Sequence, residues 1–298
     1  MTKAIPTKMK MHAASGPSRA NCAFTVGRWD ARRPPAHDSG EVCLFAVGGG
    51  RCALIFRVEG LFGGVWRSNS GGEIHLAVPG TIYRFVQSAA GWDRSAIAMP
   101  GVFAELWGAW DDLAFGWGLG EMIRWDGAAW SPCASPGEVY AVHGATRDLI
   151  FAAGRGGLLA RWDGGAWQRM EPPCTDDLIA VHAAADDDVW AIAKPGTLLH
   201  GTTLGLRPVL TTDRKLRAVV RYQGAVYVGI EDEGLFRFEN GALTLVKDTF
   251  KPHQLAARDE LLCTAGEYIV GSPDGVSFKG TGIKEVTPLL EGRDPLWT

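Results

Sequence analysis

Short apolar runs separated by polar turns recur along most of this sequence. Each run is four to six residues long, rich in β-branched and aromatic residues, and bounded by Gly, Asp or Pro. The clearest set occupies residues 139–143, 149–153, 158–162 and 166–170. Runs of this length and composition predict β-strands rather than helices. Four strands in about 37 residues match one blade of a β-propeller, and we label them A to D.

The four-strand set repeats. The segment RWDGAAW at 124–130 returns as RWDGGAW at 161–167, 37 residues later. Fainter copies include Asn240-Gly241 and Asp274-Gly275 at a similar phase. The end of strand A recurs in steps of 41, 36, 39, 38 and 37 residues, at Trp66, Trp107, His143, His182, Val220 and Ala257. A period in the high thirties with strand-like runs predicts a propeller.

These repeats define one all-β domain over residues 21–298. The units cover about 60–100, 101–137, 138–174, 175–212, 213–248 and 249–286. Residues 20–59 hold further strand-like runs but lack a fourth strand, which residues 283–286 could supply. We therefore predict a single propeller of seven four-stranded antiparallel blades, closed by pairing of N- and C-terminal strands, with six blades as the alternative. Residues 1–20 lack an apolar run, and we interpret them as a disordered tail.

Composition narrows the function. The chain has 298 residues, of which 46% are hydrophobic and 21% charged, with a net charge of -3. Without a long basic run, nucleic acid is not a predicted partner. No apolar stretch approaches the roughly 18 residues of a membrane span, and no signal-like segment is present, so we expect a cytoplasmic protein without membrane contact. The six cysteines form no Cys-x-x-Cys pair, which predicts free thiols, no metal site and no cofactor.

Two segments resemble a known group of proteins. Residues 188–191 (DVWA) and 163–167 (DGGAW) are similar to the blade pattern of bacterial β-propeller repeat proteins of the Asp-box and photosystem-assembly-factor type. The Trp-Asp pairs that begin at 29, 92, 110, 125 and 162 are also similar to WD40 repeats. The resemblance covers about 230 residues. It implies a propeller and leaves function open, because one fold hosts many functions.

Recurrent aspartates mark the predicted turns. Asp126 and Asp163 precede glycine between strands C and D, where we expect type I′ hairpin turns. Asp112, Asp148 and Asp188 recur between strands A and B, where a turn role is also favoured. In a blade the A–B and C–D turns share one face, which we name the hairpin face. The B–C and D–A connections form the opposite, loop face.

Two groups of residues are candidates for binding. The ends of the A strands would form a rim around the central channel, and the loop face carries mixed charges suited to protein recognition. The candidate residues are Trp66, Trp107, His143 and His182 at the rim, and Arg155, Lys194 and Asp232 on the loop face. Two histidines fall short of the three or four ligands that a metal site needs.

Three functions remain open at this point. The first is a non-catalytic, monomeric protein-protein interaction scaffold that binds or neutralises a partner protein. The second is a glycan-binding propeller that uses Trp130 and Trp167, which we expect to be partly exposed just past the turns. The third is a lyase or hydrolase with a site at the channel mouth, for which the two histidines are the only sequence support. No known catalytic motif is present, so we predict the first function and no enzyme.

Overall fold

The computed structural model describes residues 7–32, 40–60, 62–99 and 101–292, which form seven four-stranded sheets arranged in a ring. Within each sheet the strands are antiparallel and follow one another in sequence. The predicted seven-bladed propeller is therefore confirmed, and the six-bladed alternative is wrong.

The first three blades occupy residues 7–133. Blade 1 consists of β1 (Thr7–Ser18), β2 (Asn21–Asp30), β3 (Gly40–Gly48) and β4 (Arg51–Glu59). Blade 2 consists of β5 (Gly64–Arg67), β6 (Glu73–Val78), β7 (Thr81–Ser88) and β8 (Gly91–Ala98). Blade 3 consists of β9 (Glu105–Trp110), β10 (Leu113–Gly118), β11 (Glu121–Trp125) and β12 (Trp130–Cys133).

The remaining four blades complete the ring. Blade 4 consists of β13 (Val139–Thr146), β14 (Leu149–Gly154), β15 (Leu159–Trp162) and β16 (Trp167–Arg169). Blade 5 consists of β17 (Leu178–Ala185), β18 (Asp188–Ala193), β19 (Thr197–Thr202) and β20 (Gly205–Thr211). Blade 6 consists of β21 (Leu216–Tyr222), β22 (Ala225–Ile230), β23 (Gly234–Glu239) and β24 (Ala242–Lys247). Blade 7 consists of β25 (Pro252–Ala257), β26 (Leu261–Ala265), β27 (Tyr268–Ser272) and β28 (Lys279–Gly282).

The apolar core lies between neighbouring blades rather than inside one sheet. Phe115 of blade 3 packs against Trp162 of blade 4, with ring centroids 5.1 Å apart. Phe151 of blade 4 shares the next cluster with Val181 of blade 5. Because both faces of a middle strand are covered, every residue of β14 is buried, and the strand is a continuous apolar run instead of an alternating one.

The C–D hairpins of blades 3, 4 and 6 are of two kinds, and only one was predicted. In blade 3, Trp125 pairs with Trp130 across a four-residue loop. Oδ1 of Asp126 accepts hydrogen bonds from the backbone N–H groups of Ala128 and Ala129, at 2.9 and 2.8 Å. Asp163 makes the same pair of bonds in blade 4. The predicted type I′ turn is therefore wrong for both aspartates, because the carboxylate organises a longer loop.

The type I′ prediction holds at the copy that lacks an aspartate. In blade 6, Glu239 pairs with Ala242, which leaves Asn240 and Gly241 as a two-residue loop. Their φ angles are 51° and 78°. Positive φ at both central residues is the type I′ geometry.

The N-terminal segment differs from its prediction. Residues 7–18, assigned to a disordered tail, form β1, the inner strand of blade 1. Met11 is fully buried. Gly16 has a φ of 151°, and a Cβ there would lie 2.4 Å from the Asn21 carbonyl oxygen, so only glycine fits. The segment MHAAS lacks a long apolar run because small residues suffice at the crowded centre of the ring. Residues 1–6 lie outside the described residues.

The closure of the ring also differs from its prediction. The predicted closing strand at residues 283–286 is instead the start of helix α1 (Ile283–Leu290), and among the described residues no C-terminal strand joins the sheet of blade 1. Val286 and Leu290 pack on the blade 1 cluster that contains Phe24. Nη2 of Arg57 donates to the Leu290 carbonyl oxygen at 2.6 Å. The seam between blades 7 and 1 is thus closed by face packing and a helix.

Backbone hydrogen bonds also cross the seam. The N–H of Met11 donates to the Gly266 carbonyl at 2.8 Å, and the N–H of Asp259 donates to the Pro17 carbonyl at 3.0 Å. Among the described residues, no helix has the length and apolarity needed to cross a membrane.

Candidate functional site

The predicted rim residues lie on inner strands, yet two of them are buried. Trp66 is 1% exposed and packs against the imidazole of His75, with ring centroids 4.8 Å apart. His182 is 5% exposed. Both side chains therefore pack at blade junctions instead of presenting a surface, and their predicted binding role has no accessible ring to support it.

Three of the four rim residues come together. The ring centroids of Trp107 and His143 are 5.7 Å apart, and those of His143 and His182 are 4.0 Å apart. The N–H of Ala183 donates to Nδ1 of His143 at 3.1 Å. Burial lowers the pKa of His143 to about 4, and burial together with His143 lowers the pKa of His182. The two imidazoles are therefore neutral and pack against each other, with their planes 38° apart, across the junction of blades 4 and 5.

A metal role for this pair is not supported by its surroundings. Within the described ranges, no three His, Cys, Asp or Glu side chains converge closely enough to hold a metal ion. The imidazoles of His143 and His182 instead pack between blades like the other aromatic contacts, which are stabilised by burial and ring packing.

Two predicted loop-face residues meet in one network, which we name the Tyr140 cluster: Glu138, Tyr140, Arg155, Asp177 and Lys194. Nη1 of Arg155 lies 3.1 Å from Oε2 of Glu138, and the Tyr140 hydroxyl donates to Oε1 of the same carboxylate at 3.1 Å. Nζ of Lys194 lies 3.6 Å from Oδ2 of Asp177 and 5.8 Å from the centroid of the Tyr140 ring. Burial, then the Glu138 carboxylate, raises the pKa of Tyr140, so its hydroxyl stays protonated and donates.

A pocket of about 240 Å³ adjoins this cluster. Its apolar wall is formed by Leu158, Met170 and Pro172, and its polar rim by Arg155, Glu138 and Arg169. Nε of Arg169 is held by the Pro136 carbonyl at 2.7 Å. An apolar wall with a few fixed polar groups at its rim is the usual composition of a binding pocket, and we name it the loop-face pocket.

Asp232 does not join the Tyr140 cluster. It is exposed in the B–C turn of blade 6, one blade beyond Lys194, with a φ of 60°. Its neighbours are engaged in ion pairs of their own: Glu231 lies 2.7 Å from Arg217, and Glu233 lies 3.5 Å from Arg214. Aspartate tolerates this left-handed conformation, so the turn itself explains its presence.

Sequence reasoning missed a buried polar network between blades 2 and 3. Nε1 of Trp130 donates to Nδ1 of His75 at 3.0 Å, and Nε2 of His75 lies 3.2 Å from Oε2 of Glu73. Nη2 of Arg84 donates to Oε1 of Glu73 at 2.5 Å. Hydrogen bonds from His75 and Arg84 lower the pKa of Glu73 to about 2. A buried indole N–H needs a hydrogen-bond acceptor, and this requirement of Trp130 is the feature of the sequence that could have indicated the network.

The same network changes the glycan hypothesis. Trp130 is 5% exposed, and Trp167 is half-buried with its ring 5.1 Å from that of Phe115. The expected partial exposure is therefore wrong for Trp130, which packs against the neighbouring blade, and holds for Trp167. The glycan hypothesis loses one of the two residues on which it rested.

The repeated Arg-Trp pair links successive blades. The guanidinium of Arg84 lies over the ring of Trp125 in the next blade, 5.2 Å from its centroid. Arg124 lies over Trp162 in the same way, at 5.8 Å. Such cation–π contacts are typically worth about 0.5–2 kcal/mol. The most conspicuous motif of the sequence is therefore part of the scaffold.

The comparisons with known proteins concern the fold. No family model and no curated protein matches the sequence. The WD40 β-propeller domain of Doa1 matches with a TM-score of 0.66 at 12% identity, covering 93% of this chain and 96% of that one. YCF48 bound to D1 peptide matches with a TM-score of 0.62 at 13% identity, covering 88% and 91%. The WD40 repeats of RRP9 match with a TM-score of 0.62 at 12% identity, covering 87% and 88%.

Proposed function

We propose that this propeller is a non-catalytic protein-interaction module that binds a partner through the loop-face pocket. The observation that carries the proposal is an apolar pocket with the guanidinium groups of Arg155 and Arg169 at its rim. Arg155 pairs with Glu138 while its side chain stays largely exposed, so it can also reach a partner. Nε of Arg169 is held by the Pro136 carbonyl, and a preorganised polar group loses little side-chain entropy when a partner binds.

The composition of the pocket indicates what it would accept. Leu158, Met170 and Pro172 suit an apolar side chain, and methionine adapts its shape readily to a bound group. Arg155 and Arg169 at the rim suit a carbonyl or carboxylate beside that side chain. A volume of about 240 Å³ accommodates one such anchor, in keeping with interfaces in which a few residues supply most of the affinity.

The likeness to other propellers supports this proposal at the level of fold. The YCF48 structure holds a bound peptide, so a propeller of this size and outline can present a peptide site. The identity of the partner of this chain does not follow from that likeness.

The test compares partner recovery by matched variants. We expect affinity-tagged wild-type protein to recover a stoichiometric partner from native lysate, quantified by mass spectrometry. Met170→Asp should lose that partner because it places a charge in the apolar wall. Arg155→Ala should lose it because it removes a guanidinium from the rim. The control is Arg207→Ala, which changes an exposed arginine on β20, away from the pocket.

The proposal would be contradicted if Met170→Asp and Arg155→Ala recover as much partner as the wild-type protein while circular dichroism shows that both are folded. The same conclusion follows if no stoichiometric partner is recovered with wild-type protein. Equal loss in Arg207→Ala would assign the binding to another surface.

A further inference from the structure

The junction between blades 5 and 6 departs from the tryptophan-filled junctions. Trp130 and Trp167 open the D strands of blades 3 and 4, where they pair with Trp125 and Trp162. In blade 6 the corresponding pair is Phe238 and Leu243. Leucine therefore stands where the two clearest repeats carry an indole, and this junction is less completely filled.

A pocket of about 250 Å³ opens at this junction on the hairpin face. Trp190 and Phe238 form an aromatic wall, with ring centroids 5.8 Å apart. The polar lining comes from Arg221, Arg237, Glu239 and Asn240. We name it the hairpin-face pocket; it lies on the opposite side of the ring from the loop-face pocket.

Asp188 organises the inner side of the hairpin-face pocket. Its Oδ1 accepts a hydrogen bond from Nε1 of Trp190 at 2.5 Å and lies 3.2 Å from Nε2 of His200. Its Oδ2 lies 2.7 Å from Nε of Arg221. The His200 ring stacks on Trp190 with centroids 4.0 Å apart. The expected role of Asp188 as a turn residue is therefore incomplete, since the carboxylate also fixes an indole and a guanidinium.

This arrangement leaves charge available to a ligand. Arg221 is paired through Nε, and no described residue accepts a hydrogen bond from its two Nη atoms. Nη2 of Arg237 lies 2.7 Å from Oε2 of Glu239, but their side chains are 43% and 54% exposed. An exposed pair of this kind contributes little stability, so a competing carboxylate can take the place of Glu239.

We propose that the hairpin-face pocket binds a carboxylate that carries a flat apolar group. The carboxylate pairs with Arg221 and Arg237, whose planar guanidinium groups bind carboxylates in two-point fashion. The apolar group packs against Trp190 and Phe238. Such a ligand is either a small free acid or the end of a peptide with an aromatic terminal residue. The inference is independent of the loop-face proposal, because the two pockets share no residue.

The test follows the indole N–H signal of Trp190 by two-dimensional NMR of the full chain. The probes are 3-phenylpropionate, its amide, and a short peptide that ends in phenylalanine with a free or an amidated carboxyl group. We expect the signal to shift with the free acid, the free-carboxyl peptide or both, and with neither amide. A shift with the peptide alone identifies a peptide end as the ligand, and a shift with the acid alone identifies a small acid.

Two kinds of variant test the geometry. Arg237→Gln should weaken binding about tenfold or more, because it removes one charged hydrogen-bond partner. Arg51→Gln, at an exposed position on β4 of blade 1, should leave it unchanged. Leu243→Trp restores the indole of the other junctions and should abolish binding without loss of fold. The proposal is overturned if none of the probes moves the Trp190 signal at about 10 mM, because a Kd above that concentration corresponds to negligible affinity. It is equally overturned if the amides bind as well as the acids, or if Arg237→Gln binds like wild type.

Discussion

At the scale of single residues, Leu119 stands out because its conformation and its side chain disagree. It lies in the B–C turn of blade 3 with a φ of 48°, and it is 79% exposed. A left-handed conformation costs a residue with a branched apolar side chain about 1–2 kcal/mol relative to its usual conformations. Asn240 occupies the same region of φ at a C–D turn, where its residue type suits it. The turn is therefore not optimised for stability, and its leucine lies on the loop face.

We predict that Leu119→Asn raises the free energy of unfolding by about 1 kcal/mol, because asparagine enters the left-handed region more readily. Urea denaturation monitored by tryptophan fluorescence measures the change. Leu204→Asn is the matched control: Leu204 is 93% exposed at a turn but does not have a positive φ. A stability gain of the same size in both variants would assign the effect to lost surface hydrophobicity instead of backbone conformation.

At the scale of elements, the sequence predicted most strands, but it missed β1 and took the start of α1 for a strand. Strands of β-branched and aromatic residues between glycines were recognisable because the pattern repeats, as in β14 and β18. Residues 283–286 are also a short run with two β-branched residues, and short runs do not distinguish strand from helix. The decisive contact is long-range: Val286 packs on Met11 and Phe24, more than 250 positions earlier in the chain.

Helix α1 should therefore stabilise the seam. We predict that Val286→Asp lowers the free energy of unfolding by about 2–4 kcal/mol, because it places a carboxylate among buried apolar side chains. Lys284→Ala, on the exposed side of the same helix, should change it by less than about 0.5 kcal/mol. Urea denaturation of both variants measures the difference. A wild-type midpoint for Val286→Asp would mean that the seam is closed without the helix.

At the scale of the whole molecule, the period of the sequence indicated six blades and the strand-like runs before them a seventh, while the sites depend on contacts between blades. Arg155 and Lys194 could be predicted as binding candidates because the blade repeats differ from one another at those positions. Tyr140, which connects them, lies in an inner strand and has no distinguishing pattern. Likewise, nothing local in the sequence pairs Trp130 with His75, since the two are 55 residues apart.

The burial of histidines predicts acid sensitivity of the whole ring. Burial lowers the pKa of His12 and of His143 from 6.5 to about 4, and it also lowers the pKa of His75, His182 and His253. Between pH 6.5 and about 4 the unfolded chain then binds more protons than the folded one. Stability is complete above pH 6.5 and falls as the pH decreases through this window. Glu105, whose pKa desolvation raises to about 7, acts in the opposite direction. Glu105 is a single group, whereas five histidines have lowered pKa values, so we expect the histidines to dominate.

We predict a loss of roughly 2–5 kcal/mol between about pH 7 and about pH 4.5, most of it before carboxylates are protonated. Urea denaturation across this range measures it. His143→Gln should flatten the pH dependence, because it removes a group that must be neutral to fold. A pH profile identical to wild type in that variant would show that His143 does not contribute.

The seam has a consequence for synthesis of the chain. On a ribosome, blade 1 emerges first, and the face that carries Met11, Phe24 and Phe45 has no cover until blade 7 and α1 follow. At typical elongation rates that interval lasts on the order of tens of seconds. Throughout it the nascent chain exposes an apolar sheet face of the kind that chaperones bind. Blade 7 and α1, which are made after the other six blades, thus end this exposure.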